Sequence, residues 1–297
     1  MQEKLLQRFL RYVAVPSQSN AANANVPSSE GQRKLAELLK QDLAELGLVD
    51  LEISEYSVLT GKLPAYLPEG CTKEVPAVGW CAHLDTIDIN MSPEIHPQVV
   101  KNYQGGDVCL NKEKDIWIRT AEHPELDKYV GEDIVFTDGT SVLGADNKAA
   151  IANIMVALET IVNEKRCHGD IYVAFVPDEE IGLRGSKKMD FSKFPVKFAY
   201  TIDCCELGEV VYQTFNAGTA IVKIKGVSAH PMSAKGVLIN PTLLAVDLVN
   251  MFDRTQTPEC TEGTEGYIWV KSIVSNDTYA TVTLDIRDHN KKRYEER

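Results

Sequence analysis

Along the first two-thirds of the chain, short apolar runs of strand type alternate with stretches of helical periodicity. Leu5, Leu6, Phe9, Leu10 and Val13 recur at helical spacing until Pro16. Leu35, Leu38, Leu39, Leu43 and Leu46 repeat the pattern until Gly47, a natural helix stop. Val75–Leu84 (VPAVGWCAHL) is short, apolar and β-rich, as a strand buried on both faces must be. Asp146-Asn147 then opens a helix with Ile151, Ile154, Met155, Leu158, Ile161 and Val162 on one face. Ile171–Val176 (IYVAFV) and Phe198–Ile202 (FAYTI) are the next strands. This order predicts an α/β domain, an open, mostly parallel sheet flanked by helices. Residues 90–135 are polar and irregular, as in a functional loop or a small hairpin subdomain.

The pattern changes near residue 215. Thr219–Lys225 (TAIVKIK) alternates with period two, and Leu243–Phe252 is helical. Tyr267–Ser275 and Ala280–Ile286 are strands joined by the polar turn at 276–279. A charged segment, Asp288–Arg297, reads as the start of another helix. Two domains are therefore expected, 1–214 of α/β type and 215–297 a smaller α+β domain. The smaller domain reads as incomplete at the C-terminus, because the last helix shows no apolar face and no strand follows it.

Charge narrows the partners. The 297 residues carry 31 basic and 43 acidic side chains, a net charge of −12. Nucleic acid and anionic membranes select basic surfaces, so neither is expected as the main partner. The seven cysteines are odd in number and irregularly spaced, with Cys204 and Cys205 adjacent and no C-x-x-C. They read as reduced thiols rather than a disulfide framework. The N-terminus lacks the uninterrupted apolar stretch of a signal peptide, and no apolar run approaches a membrane span. A soluble, cytoplasmic protein is expected.

Three polar clusters fall at the C-terminal ends of expected strands, where ligands bind in open α/β sheets. His83-Leu84-Asp85 closes the first. Residues i and i+2 share a side of a strand, and a ligating histidine commonly gives its other ring N–H to a carboxylate. Alone, the pair also fits a core histidine beside a turn aspartate. Asp146 starts the long helix, where Asp is also a frequent N-cap. Pro177-Asp178-Glu179-Glu180 ends the next strand, and three adjacent acids there are costly unless cations or protons neutralise them. A solvated acidic turn is the plain alternative. Asp203 ends the following strand. Together, His83, Asp146, Glu180 and Asp203 make a mixed nitrogen and oxygen donor set suited to zinc, with manganese or cobalt as alternatives. An aspartate can bridge two metals, and of two adjacent glutamates one can ligate while the other takes a proton from water.

HLD at 83–85, GADNKAA at 144–150, PDEE at 177–180, ID at 202–203 and SAHP at 228–231 occur in this order. With them the chain resembles, along essentially its whole length, the co-catalytic zinc peptidases. NYQGGD at 102–107, VLGADNKAA at 142–150 and RDH at 287–289 look most like the peptidase T branch, the tripeptide aminopeptidases. The resemblance implies a catalytic domain with a small lid and dimerisation domain, short peptides as substrate, and two zinc ions. It implies that His83 and Asp203 bind one zinc, Asp146 bridges and Glu180 binds the second. Glu179 would be the general base and Asp85 would orient His83. His230 matches the histidine that helps polarise the scissile carbonyl, often across a homodimer interface. Arg287 resembles the clamp for a peptide carboxylate, whose geometry a guanidinium matches, and Asn240 would add a substrate contact.

Two departures stand out. Asn147 occupies a position where the family often has a second Asp, a change expected to perturb little. The family also has a final histidine ligand near its C-terminus. His83, His96, His123, His168, His230 and His289 are the six here, and none follows a completed small domain. The resemblance therefore implies a C-terminally shortened form whose second zinc lacks a ligand and whose catalytic domain lacks its last strands and helices, leaving both domains incomplete. A dipeptidase, carboxypeptidase or deacylase of the same family is the alternative within the class, and a non-catalytic fragment is the alternative outside it.

Overall fold

A computed structural model describes residues 1–203 and 206–297. Met1–Cys205 and Glu206–Arg297 form two compact units. The pair Cys204-Cys205, expected as thiols, lies outside the described residues, and Cys71, Cys81, Cys109, Cys167 and Cys260 are free. No described helix is long and apolar enough to cross a membrane.

The first unit opens with helices α1 (Gln2–Val13) and α2 (Glu30–Glu45), then strands β1 (Val49–Ile53), β2 (Leu59–Leu63) and β3 (Val78–His83). The excursion after β3 is a small β subdomain. Strand β4 (Pro97–Val100) pairs antiparallel with β7 (Ile134–Thr137), and β5 (Val108–Asn111) pairs with β6 (Ile116–Ile118). Tyr103, Val108, Leu110, Leu126 and Phe136 give it an apolar cluster of its own. Helix α3 (Ala145–Asn163) and strands β8 (Ile171–Val176) and β9 (Phe198–Thr201) complete the unit.

The five-stranded sheet has the order β1-β2-β8-β3-β9. Strands β8, β3 and β9 are parallel, as the alternating pattern predicts. The antiparallel hairpin β1–β2, which carries no strong period in sequence, extends the sheet on the far side of β8. Because β3 lies between β8 and β9, with His83 opposite Val176 and Cys81 opposite Thr201, the three strand ends converge on one edge.

The apolar stripes read from the sequence bury as a single core. Leu35, Leu39 and Leu43 from α2, Ile151, Ile154, Met155 and Leu158 from α3, and Val173 and Phe175 from β8 are all essentially inaccessible. Buried Asp42 ties α1 to α2. Its two carboxylate oxygens both accept from one nitrogen of the Arg11 guanidinium at 2.8 Å, and one also accepts the Tyr12 hydroxyl at 2.8 Å.

Helix α2 begins hard against the segment after α1. A methyl group on Gly31 would lie 1.6 Å from the Pro16 carbonyl oxygen. Elsewhere in a helix Gly→Ala gains about 1 kcal/mol from propensity. Here the collision is with backbone, so the sign reverses.

The second unit contains β10 (Asn216–Lys225), α4 (Pro241–Asn250), β11 (Tyr267–Ser275), β12 (Tyr279–Asp288) and α5 (Lys291–Glu296). Its antiparallel sheet has the order β10-β12-β11. Alternation along β10 turns Ala220, Val222 and Ile224 toward a core of Ala245, Ala280, Val282 and Leu284, and leaves Ile221 and Lys223 exposed. Asp288 closes this unit. Burial alone would raise its pKa, but hydrogen bonds from Arg293, the Asn290 N–H and Arg297 bring it down to about 2.

Two outcomes follow. Gly31→Ala is expected to destabilise the chain by roughly 1–3 kcal/mol in denaturant unfolding, the cost of overpacking. A stabilised variant would show that α2 can withdraw from Pro16. Since the Asp288 pKa is depressed in the folded state, its ionised form stabilises the fold above the ordinary value of 3.8, and that contribution is lost as pH falls toward about 2. Asp288→Asn should therefore melt several degrees below the parent at neutral pH, and the gap should close between about pH 4 and pH 2. A gap independent of pH would contradict it.

Candidate metal centre

His83 ends β3 with its ring buried and both ring nitrogens occupied. Nε2 lies 2.8 Å from an Asp146 carboxylate oxygen, and Nδ1 lies 3.0 Å from the backbone oxygen of Asp85. Acceptors on both sides favour a proton on each ring nitrogen. Burial opposes that charge, but the hydrogen bonds to Asp146 and Asp85 carry its pKa up to about 10. Glu179 and Asp203 approach the same Nε2, at 3.9 and 4.0 Å.

Asp85 is fully buried. Its carboxylate lies 3.4 Å from His83 Nδ1, and it also accepts the Glu179 N–H at 2.9 Å and the Glu180 N–H at 3.2 Å. Asp85 thus connects the end of β3 to the acidic loop after β8, beyond the expected role of steadying the histidine.

Asp146 is not the helix cap that its position suggests. Gly144 caps α3 with a positive φ of 71°, and Asp146 departs from helical geometry, which turns its carboxylate to His83. Lys148, two residues on, is buried and donates to the Val15 carbonyl at 2.8 Å, fastening the start of α3 to the segment after α1.

The remaining carboxylates are shifted upward, chiefly by burial. Burial raises the pKa of Glu180 to about 7, with Asp146 adding to it. Burial also raises Glu179 and Asp203. Asp146 is lowered, because it bonds to His83. Ligand atoms of His83, Asp146 and Asp203 lie within 4.8 Å of one another, as do those of His83, Glu179 and Glu180. One imidazole and four carboxylates in this space form a donor set that fits zinc or another divalent cation.

Asn147 is the residue that the sequence undervalues. It is buried, accepts the His83 N–H at 3.2 Å, and donates to the Ile202 carbonyl at 2.9 Å and to Asp203 at 2.7 Å. One carboxamide therefore joins the ends of β3 and β9. An aspartate would lack both donors and face Asp203 with like charge. The only signal in sequence is its place beside Asp146.

His230, Asn240 and Arg287 belong to the second unit and are exposed. His230 Nδ1 accepts the Met232 N–H at 3.2 Å. Asn240 caps α4, its side-chain oxygen accepting from Thr242 and Leu243, which leaves only its amide nitrogen for a ligand. The Arg287 guanidinium stacks over the Phe215 ring at 4.9 Å.

Asn147→Ala is expected to cost about 1–3 kcal/mol through unsatisfied buried groups. It should also weaken zinc binding about 10–100-fold, the usual effect of losing a partner that orients ligands. Competition with a chromophoric chelator measures the second quantity. Unchanged zinc affinity would mean that His83 and Asp203 are placed without Asn147.

Comparison with known proteins matches residues 212–296 to the family described as peptidase dimerisation domain, and residues 130–239 to M42 glutamyl aminopeptidase. The chain is 53% identical to a peptidase T-like protein of Rhizobium meliloti, over 97% of this chain and 69% of that one. It is 40% identical to peptidase T of Escherichia coli, over 99% of this chain and 71% of that one. Its fold is shared with a tripeptidase structure from Staphylococcus aureus (TM-score 0.70, 20% identity, 100% of this chain and 69% of that one). On this identity and coverage, the chain belongs to the peptidase T family and is a peptidase.

Proposed function

We propose that this chain is a zinc aminopeptidase that removes the N-terminal residue from tripeptides. The observation that carries the proposal is the buried His83 ring at the meeting point of carboxylates from three loops, within a family whose curated members are named peptidase T. His83, Asp146 and Asp203 would hold one zinc, with Asp146 shared and Glu180 on a second. When bound, zinc polarises a peptide carbonyl and makes water nucleophilic at neutral pH.

Glu179 is the residue proposed to take the proton from the attacking water and return it to the leaving amine. Its pKa is raised by burial, which moves a carboxylate toward the range useful in proton transfer. Asp85 holds both the His83 ring and the backbone beneath Glu179. Arg287 is proposed to receive the peptide carboxylate, His230 to polarise the scissile carbonyl, and Asn240 to add an amide contact.

The proposal assigns catalysis to residues 1–214 and the lid and dimer contacts to 215–297. A homodimer through the second region is supported by the match to a peptidase dimerisation domain. A cytoplasmic location accords with the free thiols.

The first zinc would have three protein ligands, His83, Asp146 and Asp203, enough for a site with an open position. Glu179→Ala should keep that zinc and lower kcat on an unblocked tripeptide by about 10²–10⁴-fold. Glu180→Ala should lower occupancy of the second site. Equal metal loss in both variants, read by elemental analysis and titration, would overturn the division of roles.

A further inference from the structure

The carboxylate of Glu179 takes part in no hydrogen bond among the described residues, so its direction is inherited from the backbone beneath it. That backbone is fixed from two sides. Three consecutive N–H groups are each taken by a side chain. Those of Glu179 and Glu180 go to Asp85, and that of Asp178 goes to the Gln32 side-chain oxygen at 2.9 Å. Gln32 closes the pair in return, its amide nitrogen donating to the Asp178 carboxylate at 2.7 Å. Ser28 adds its own N–H at 2.8 Å and its hydroxyl to the same carboxylate.

Asp178 and Gln32 are both fully buried, and Ser28 nearly so. Asp178 adopts φ +55°, the left-handed region that a residue with a side chain seldom occupies unless its surroundings impose it. The anchor itself cannot drift. The start of α2 is wedged against Pro16 at Gly31, and Ser17 donates to the Leu84 carbonyl at the end of β3.

We infer that Gln32, with Ser28, is a positioning residue for the acidic loop, fixing the turn at Asp178 so that Glu179 faces His83. The inference rests on the reading of Glu179 as the general base. A buried aspartate must be matched by donors wherever it lies. What this one adds is a lock between α2 and the residue immediately before the base. Since small errors of placement are expensive in catalysis, loosening the lock should lower turnover more than binding.

The test compares the parent chain with Gln32→Leu, which removes both arms of the pair, and with Leu39→Ala, which opens a cavity on the same helix. Hydrogen exchange is followed by mass spectrometry on the chain without substrate. Gln32→Leu is expected to speed exchange at residues 178–180 at least tenfold while β8 changes less than threefold. In zinc-loaded protein, kcat on a tripeptide should fall at least tenfold with KM within threefold. Leu39→Ala should spread any acceleration through the unit. Should Gln32→Leu fail to fold, Ser28→Ala removes a single donor and should shift the same readouts in the same direction by less. Unchanged exchange at 178–180 would overturn the inference, and so would acceleration spread evenly through the unit. It also falls if kcat is unchanged in Gln32→Leu while Glu179→Ala abolishes turnover. If Glu179→Ala leaves turnover intact, the reading of the base is what fails, and the exchange result still decides whether Gln32 holds the loop.

Discussion

A buried carboxylate at Asp85 is the interaction on which the end of the sheet depends. An ionised group without contact to water is stable only where donors surround it. Asp85 finds them in the Glu179 and Glu180 amides, with the His83 ring beside it. The need to satisfy this one charge brings the end of β3 to the loop after β8. Asp178 repeats the device on the other side of the same loop, with donors drawn from α2. Two buried aspartates therefore hold a pair of glutamates whose own carboxylates remain available for chemistry.

The order of strands makes this possible. In a parallel arrangement all C-terminal ends lie on one side, and β3 in the middle has a neighbour on each flank. The loops after β3, β8 and β9 therefore open beside one another, although residues 83 and 203 are far apart in sequence. The start of α3 enters the same space because Asp146 and Asn147 leave helical geometry there. The β subdomain between β3 and α3 carries its own apolar cluster and reaches the main core only through residues such as Ile95 and Val135, so a long insertion lodges between two ligand-bearing segments.

The second unit obeys simpler rules. Period-two alternation along β10 predicts a sheet with one covered face, and the covered face is the apolar one. Three of its residues expected at a substrate site also have local structural work. His230 and Asn240 accept backbone N–H groups at the starts of helical turns, and Arg287 stacks on Phe215.

Much of this was legible in the linear chain. Apolar spacing marks α1, α2 and α3, and continuous apolar runs mark β3, β8 and β9, because burial on one stripe or on both faces leaves a period in the residues themselves. The hairpin β1–β2 was not legible, since its strands carry no clear alternation and form by pairing with β8. The strand-end rule also brought His83, Asp85, Asp146, Glu179, Glu180 and Asp203 forward as one group. The partners of those residues were not legible. Asn147 reads as a minor substitution and Gln32 as one polar residue in a helix, yet each spans two segments with one carboxamide. Periodicity records which face of an element is buried. Which buried polar atom meets which depends on distances between segments far apart in the chain, and only the folded tertiary structure sets those distances.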